Sequence, residues 1–157
     1  MELDELLPAF AARLGIEGLA VRDGACALEI DGIPVEIAQV PDGTALVVCT
    51  SIGKPPPEKE EIFLETLLEA AIELHAREDT TFGLLSETGD LILQWRTPTS
   101  TLDLDTFCDH LETFLNRADQ WRHTLSDFRP AAEAAVMQEE DDSPALGGLG
   151  SSGFLTV

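Results

Sequence analysis

Asp103, Asp105 and Asp109 are the closest approach to a metal-binding pattern in this chain. Carboxylates at such spacing open a calcium loop, which then needs a glycine for its sharp turn and a bidentate Glu to close the ion's coordination. Neither follows, and the run falls where a helix is expected to begin, so these acids read as partners of a positive helix end. His75, His110 and His123 have no E-x-x-H or H-x-x-x-H companion and read as helix-surface or boundary residues. Cys26, Cys49 and Cys108 are odd in number, far apart and without a C-x-x-C pair, which suggests neither a disulfide framework nor zinc. Each lies in an apolar stretch and reads as a reduced packing residue. The glycine-rich segment precedes no helix, so it is no phosphate loop, and no Ser or Cys sits in a nucleophile elbow. The expectation is therefore no catalytic residue, no metal and no cofactor: not an enzyme.

Charge narrows the partners. With 9 Lys plus Arg against 30 Asp plus Glu, the net charge is -21, and the few basic residues are scattered. Binding a phosphate backbone needs clustered cations that displace its counterions, so nucleic acid is excluded, and an anionic membrane surface repels the chain for the same reason. Glu2, Asp4 and Glu5 stand where a signal peptide would be positive, and no apolar run reaches the length of a membrane span. A cytoplasmic protein without membrane insertion is expected. At 157 residues and 44% hydrophobic, the chain suits one core rather than two.

The periodic segments supply the architecture. Leu3, Leu6, Leu7, Phe10 and Leu14 recur at helical spacing before Gly15, a helix stop. Strands are expected over 25–30, 33–40 and 44–50, joined by Asp31-Gly32 and Pro41-Asp42-Gly43, tight-turn signals that make an antiparallel meander. Pro34 lacks a ladder donor and belongs near an edge or a bulge. In the second strand Ile33, Val35 and Ile37 share the covered face and Glu36 takes the other; the third strand looks apolar on both faces. Pro55-Pro56-Pro57 leads to a helix over about 58–78 whose apolar residues fill an arc of about 200°, beyond the roughly 100° that one packing surface requires. Such a helix is expected to pack twice, on its own sheet and on a partner subunit. A hairpin follows over 81–85 and 90–96, turning at Glu87-Thr88-Gly89. A last helix from about Asp103 to Phe128 carries Leu104, Phe107, Leu111, Phe114, Ala118, Trp121 and Leu125.

The fold class is thus α+β, in the order α-β-β-β-α-β-β-α, a twisted antiparallel sheet packed on helices over residues 1–128. Residues 129–157 read as a flexible acidic, Gly/Ser-rich tail, from Glu139-Glu140-Asp141-Asp142 and the run 147–153. Its apolar end, Phe154-Leu155-Thr156-Val157, has the composition to add a strand to a sheet edge, though a short apolar terminus is more often a chain end.

This order, with the long helix Ile62 to Ile72, the strand Leu91-Ile-Leu-Gln-Trp95 and the final helix from Phe107 to Trp121, resembles the class I type III secretion chaperones, the Tir chaperone family. The resemblance covers about residues 1–128 and rests on pattern, no single motif being diagnostic. It implies an obligate homodimer in the bacterial cytosol that holds the N-terminal segment of a secreted effector in extended form, with the secretion apparatus ATPase as a further partner. By the same resemblance the first helix and outer sheet hold cargo, at Leu3, Leu6, Leu7, Phe10, Leu28, Ile30, Val35 and Ile37. The second helix and the hairpin form the dimer seam, at Phe63, Leu67, Ala70, Ala71, Leu74, Leu91, Leu93 and Trp95. Two rivals stand beside it: an interaction module of similar topology that binds a folded partner, and an enzyme with dispersed site residues.

Overall fold

In the computed structural model, which describes residues 1–16, 19, 21–128 and 155–156, the first helix, α1, runs Leu3–Leu14. It stops where Gly15 turns left-handed at φ 69°, and the Ile16 amide reaches back to the Ala11 carbonyl at 2.9 Å, satisfying a carbonyl that the helix leaves open. The strands β1 (Ala25–Ile30), β2 (Ile33–Gln39) and β3 (Ala45–Gly53) follow as an antiparallel meander. Asp31 and Gly32 both take positive φ, 51° and 77°, the primed turn whose twist matches that of the flanking strands. Then come α2 (Glu60–Glu78), β4 (Thr80–Leu85), β5 (Asp90–Pro98), a single 3-10 turn at Thr99–Thr101 and α3 (Leu104–Phe128).

The strand order is β4-β5-β3-β2-β1, and the five are mutually antiparallel. Outside β1 lies β6 (Leu155–Thr156), which runs parallel to it, Leu28 opposite Leu155 and Glu29 opposite Thr156. The terminal segment thus does more than end the chain. The tail expected over 129–157 otherwise lies outside the described residues.

Alternation along the strands sends Cys26, Leu28, Val35, Ile37, Leu46, Val48, Leu91, Leu93 and Trp95 into one cluster with side chains from all three helices. Phe107 of α3 anchors it: its ring meets Phe10 of α1 edge-on at 5.4 Å and lies 5.9 Å from Trp95. A second aromatic group ties α2, α3 and β4 together, with Phe63 5.2 Å from Phe128 and Phe82 5.0 Å from Trp121. Arg117 of α3 adds a two-pronged ion pair to Glu78 at the end of α2. Pro34 falls just outside the β2–β3 ladder, which begins at Glu36, and its carbonyl accepts from the Thr50 hydroxyl at 2.6 Å. The missing amide is therefore not one the ladder uses.

Candidate functional site

The acids that resembled a metal loop turn out to serve helix α3 and its neighbour. The Asp103 carboxylate accepts from the Thr106 amide at 2.8 Å, capping the helix, and that hydrogen bond holds its pKa below the ordinary aspartate value. Asp105 pairs with Arg13 of α1 at 2.5 Å. Among the described residues no group of three or more His, Cys, Asp or Glu is placed to hold a metal ion. His110 lies edge-on to Trp95, and His123 contacts Asp119 one turn earlier on the same helix. Burial pushes the Cys26 thiol up to about 11 and Cys49 to about 12. Among the described residues no helix is long and apolar enough to cross a membrane.

The residues expected to hold cargo sit deeper than the expectation required. Leu3, Leu6, Leu7 and Phe10 of α1, Leu28 of β1, and Val35 and Ile37 of β2 are all buried inside the single subunit, and only Ile30 is half-buried. Their burial follows from α3, which places Phe107 directly against Phe10 of α1 in the shared core. The face is also not the outer one: these side chains share the helix-covered side of the sheet. What stays open nearby is Leu14 at 42% exposure, with Ile16, Leu19, Val21 and Ile30 half-buried.

The α2 arc divides in two. Phe63, Leu67 and Leu74 are buried in the subunit's own core, as are Leu91, Leu93 and Trp95 of β5, while Ala70 and Ala71 are half-buried. The other half of the arc faces outward: Leu68 is 70% exposed and Ile72 78%. With half-buried Leu64 they follow at four-residue spacing, which makes one ridge along the helix. Leu84 on edge strand β4, which packs beside α2, is also exposed, as is Ile62. The unpartnered apolar surface of α2 is thus adjacent to, not identical with, the residues expected at a seam.

One group departs from its expected exposure. Glu36, expected on a solvent-facing side, is only 5% exposed, and its Oε1 has no hydrogen-bond partner among the described residues. It lies opposite Cys49 on the outer sheet face, and burial raises its pKa. Nothing in the strand pattern separates it from an ordinary exposed glutamate.

Several solved structures share this fold. A chain of the ExsC-ExsE complex is 25% identical, with a TM-score of 0.67 over 80% of this chain and 97% of that one. A chain of the HopA1-SchA chaperone-effector complex is 20% identical, with a TM-score of 0.66 over 76% and 92%. The Yersinia pestis type III secretion chaperone SycH, solved with a fragment of YscM2, gives 18% identity and 0.61 over 74% and 97%. No curated protein matches the sequence. The family model that does match spans Glu5 in α1 to Arg122 in α3, nearly the whole folded unit, and on that ground the chain belongs to the Tir chaperone protein (CesT) family.

Proposed function

We propose that this chain is a type III secretion chaperone: a homodimer in the bacterial cytosol that binds the N-terminal segment of a secreted effector in extended form and keeps it fit for export. The observation that carries this reading is the family match from α1 to α3, supported by the chaperone-effector complexes among its structural relatives. The charge of -21 fits a holdase, because self-repulsion keeps a body with exposed apolar surface from aggregating and favours cargo of neutral or positive charge.

Self-association goes to the exposed ridge Leu64, Leu68 and Ile72, with Ile62 and Leu84 beside it; Phe63, Leu67, Leu74, Leu91, Leu93 and Trp95 back it from inside the core. Cargo is assigned to the region of α1 and the β1–β2 hairpin, entering over Leu14 and Ile30, with Leu3, Leu6, Leu7, Phe10, Leu28, Val35 and Ile37 as the floor beneath. A further contact with the secretion apparatus ATPase belongs to the same reading. The test is co-expression with the N-terminal segments of candidate secreted proteins, followed by measurement of stoichiometry and of amide exchange in the bound segment. Expected is one segment per dimer, bound at micromolar affinity or better without a globular fold of its own. A partner bound only when folded would refute the reading in favour of a general interaction module.

A further inference from the structure

Strand β1 forms one side of the five-stranded sheet, and its sequence does not defend that position. Ala25 to Ile30 contain no Lys and no Pro, the devices that discourage another strand from joining, and their single charge is Glu29. The phase of its hydrogen bonds follows from the turn. A two-residue primed turn at Asp31-Gly32 makes Ile30 and Ile33 a bonded pair, and every second residue along β1 repeats that bonding. The Gln39 amide donating to the Gly24 carbonyl at 2.9 Å keeps the same phase at the far end. Ala27 and Glu29 therefore turn their amides away from β2, toward the edge.

That edge is taken. Leu155–Thr156 lie alongside it in parallel register with Leu28 and Glu29. The contact is not forced by a short connector, since residues 129–154 could span about 85 Å if extended, far more than a domain of this size. The segment sits there because a free ladder edge and a short apolar strand complement each other. Two residues of ladder make a weak contact, which holds because the tether presents the strand at an effective concentration in the millimolar range.

We infer that the C-terminal segment is an intramolecular ligand of the β1 edge, a strand the chain supplies to itself and which must leave before any other extended segment can pair there. The occupied edge stands whatever the protein's cargo; only the identification of a competing segment with cargo rests on the chaperone reading. The experiment uses no effector, so its outcome is independent of that reading.

Amide exchange is measured by NMR on the full chain, on a chain ending at Gly153, and on Leu155→Pro, which removes the ladder donor that the parallel register aims at the Ala27 carbonyl without shortening the chain. In both variants the Glu29 amide, which the register aims at the Leu155 carbonyl, should exchange at least tenfold faster, while Ile37 and Val48 keep their protection. A synthetic peptide of residues 151–157 should then shift the Ala27 and Glu29 resonances of the shortened chain at a concentration at least tenfold lower than it needs with the full chain. In the full chain the protection should not change between about 10 and 500 μM protein. Equal exchange in all three proteins, or equal response of the shortened and full chains to the peptide, would overturn the inference. Protection that fades on dilution would also overturn it, since the strand would then come from a neighbouring copy.

Discussion

Leu67 and Leu68 are neighbours in sequence with opposite expected fates. Leu67 is 3% exposed and Leu68 70%, so a charge at the first enters the subunit's core and at the second meets only whatever covers α2. Full burial of a Leu or Ile side chain is worth about 1.5 to 3 kcal/mol, so covering the exposed remainder of Leu68 contributes about 1 to 2 kcal/mol. In a two-fold seam the same residue appears on both subunits, which doubles that to about 2 to 4 kcal/mol per dimer. Leu68→Asp should therefore weaken self-association by at least about 30-fold, and by up to about 1,000-fold before the cost of burying a carboxylate is added. Sedimentation velocity between about 1 and 100 μM should show a folded monomer for Leu68→Asp and a dimer for the unaltered chain. Leu67→Asp should lose its native circular dichroism altogether. The reasoning fails if the unaltered chain is a monomer at these concentrations, if Leu68→Asp remains a dimer, or if Leu68→Asp unfolds as Leu67→Asp does.

Glu61, Glu65 and Glu69 flank that ridge and the whole chain is strongly acidic, so added salt should tighten the dimer by screening repulsion, and a dimer that loosens from 0.05 to 0.5 M NaCl would contradict this. Phe10→Ala should cost about 3 to 5 kcal/mol in chemical denaturation, because the ring is buried against Phe107; unchanged stability with lost cargo binding would return α1 to the surface. Glu36→Gln should stabilise the protein at neutral pH. The raised pKa means that the folded state binds this proton more tightly than the unfolded state, so the stability tied to the protonated form is complete below about pH 4.3 and lost as pH rises through the folded value. The gain from Gln should therefore vanish in acid, and a gain independent of pH would refute the assignment. Asp103→Ala should show the reverse dependence: its lowered pKa marks stability present above the ordinary aspartate range and lost as pH falls, measurable as a difference in melting temperature that closes in acid.

What could be read before the structure was local. The Asp31-Gly32 hairpin declared itself because a primed turn needs two residues that tolerate positive φ, and α3 because its stripe repeats through seven turns. The α2 arc was visible, but not which half turns inward; that depends on where β4 and α3 stand, and Phe63 goes in because Trp121 and Phe128 wait for it. The burial of α1 likewise depends on Phe107, nearly a hundred residues away in sequence. Glu36 alternates with apolar residues as an exposed strand residue would, and no one-dimensional pattern reports what lies over a sheet's outer face.

The thiols buried at Cys26 and Cys49 also give the molecule an internal clock. Alkylation requires the thiolate, and a thiol whose pKa has risen to about 12 is ionised to roughly one part in 100,000 at pH 7. The reagent must therefore wait for the surrounding strands to part. Cys108, half-buried on α3, needs no such opening and should be modified first. Mass spectrometry of a labelling time course would count the remaining modifications as they appear, and their rate would report how often β1 and β3 open under fully native conditions, with no denaturant and no engineered probe.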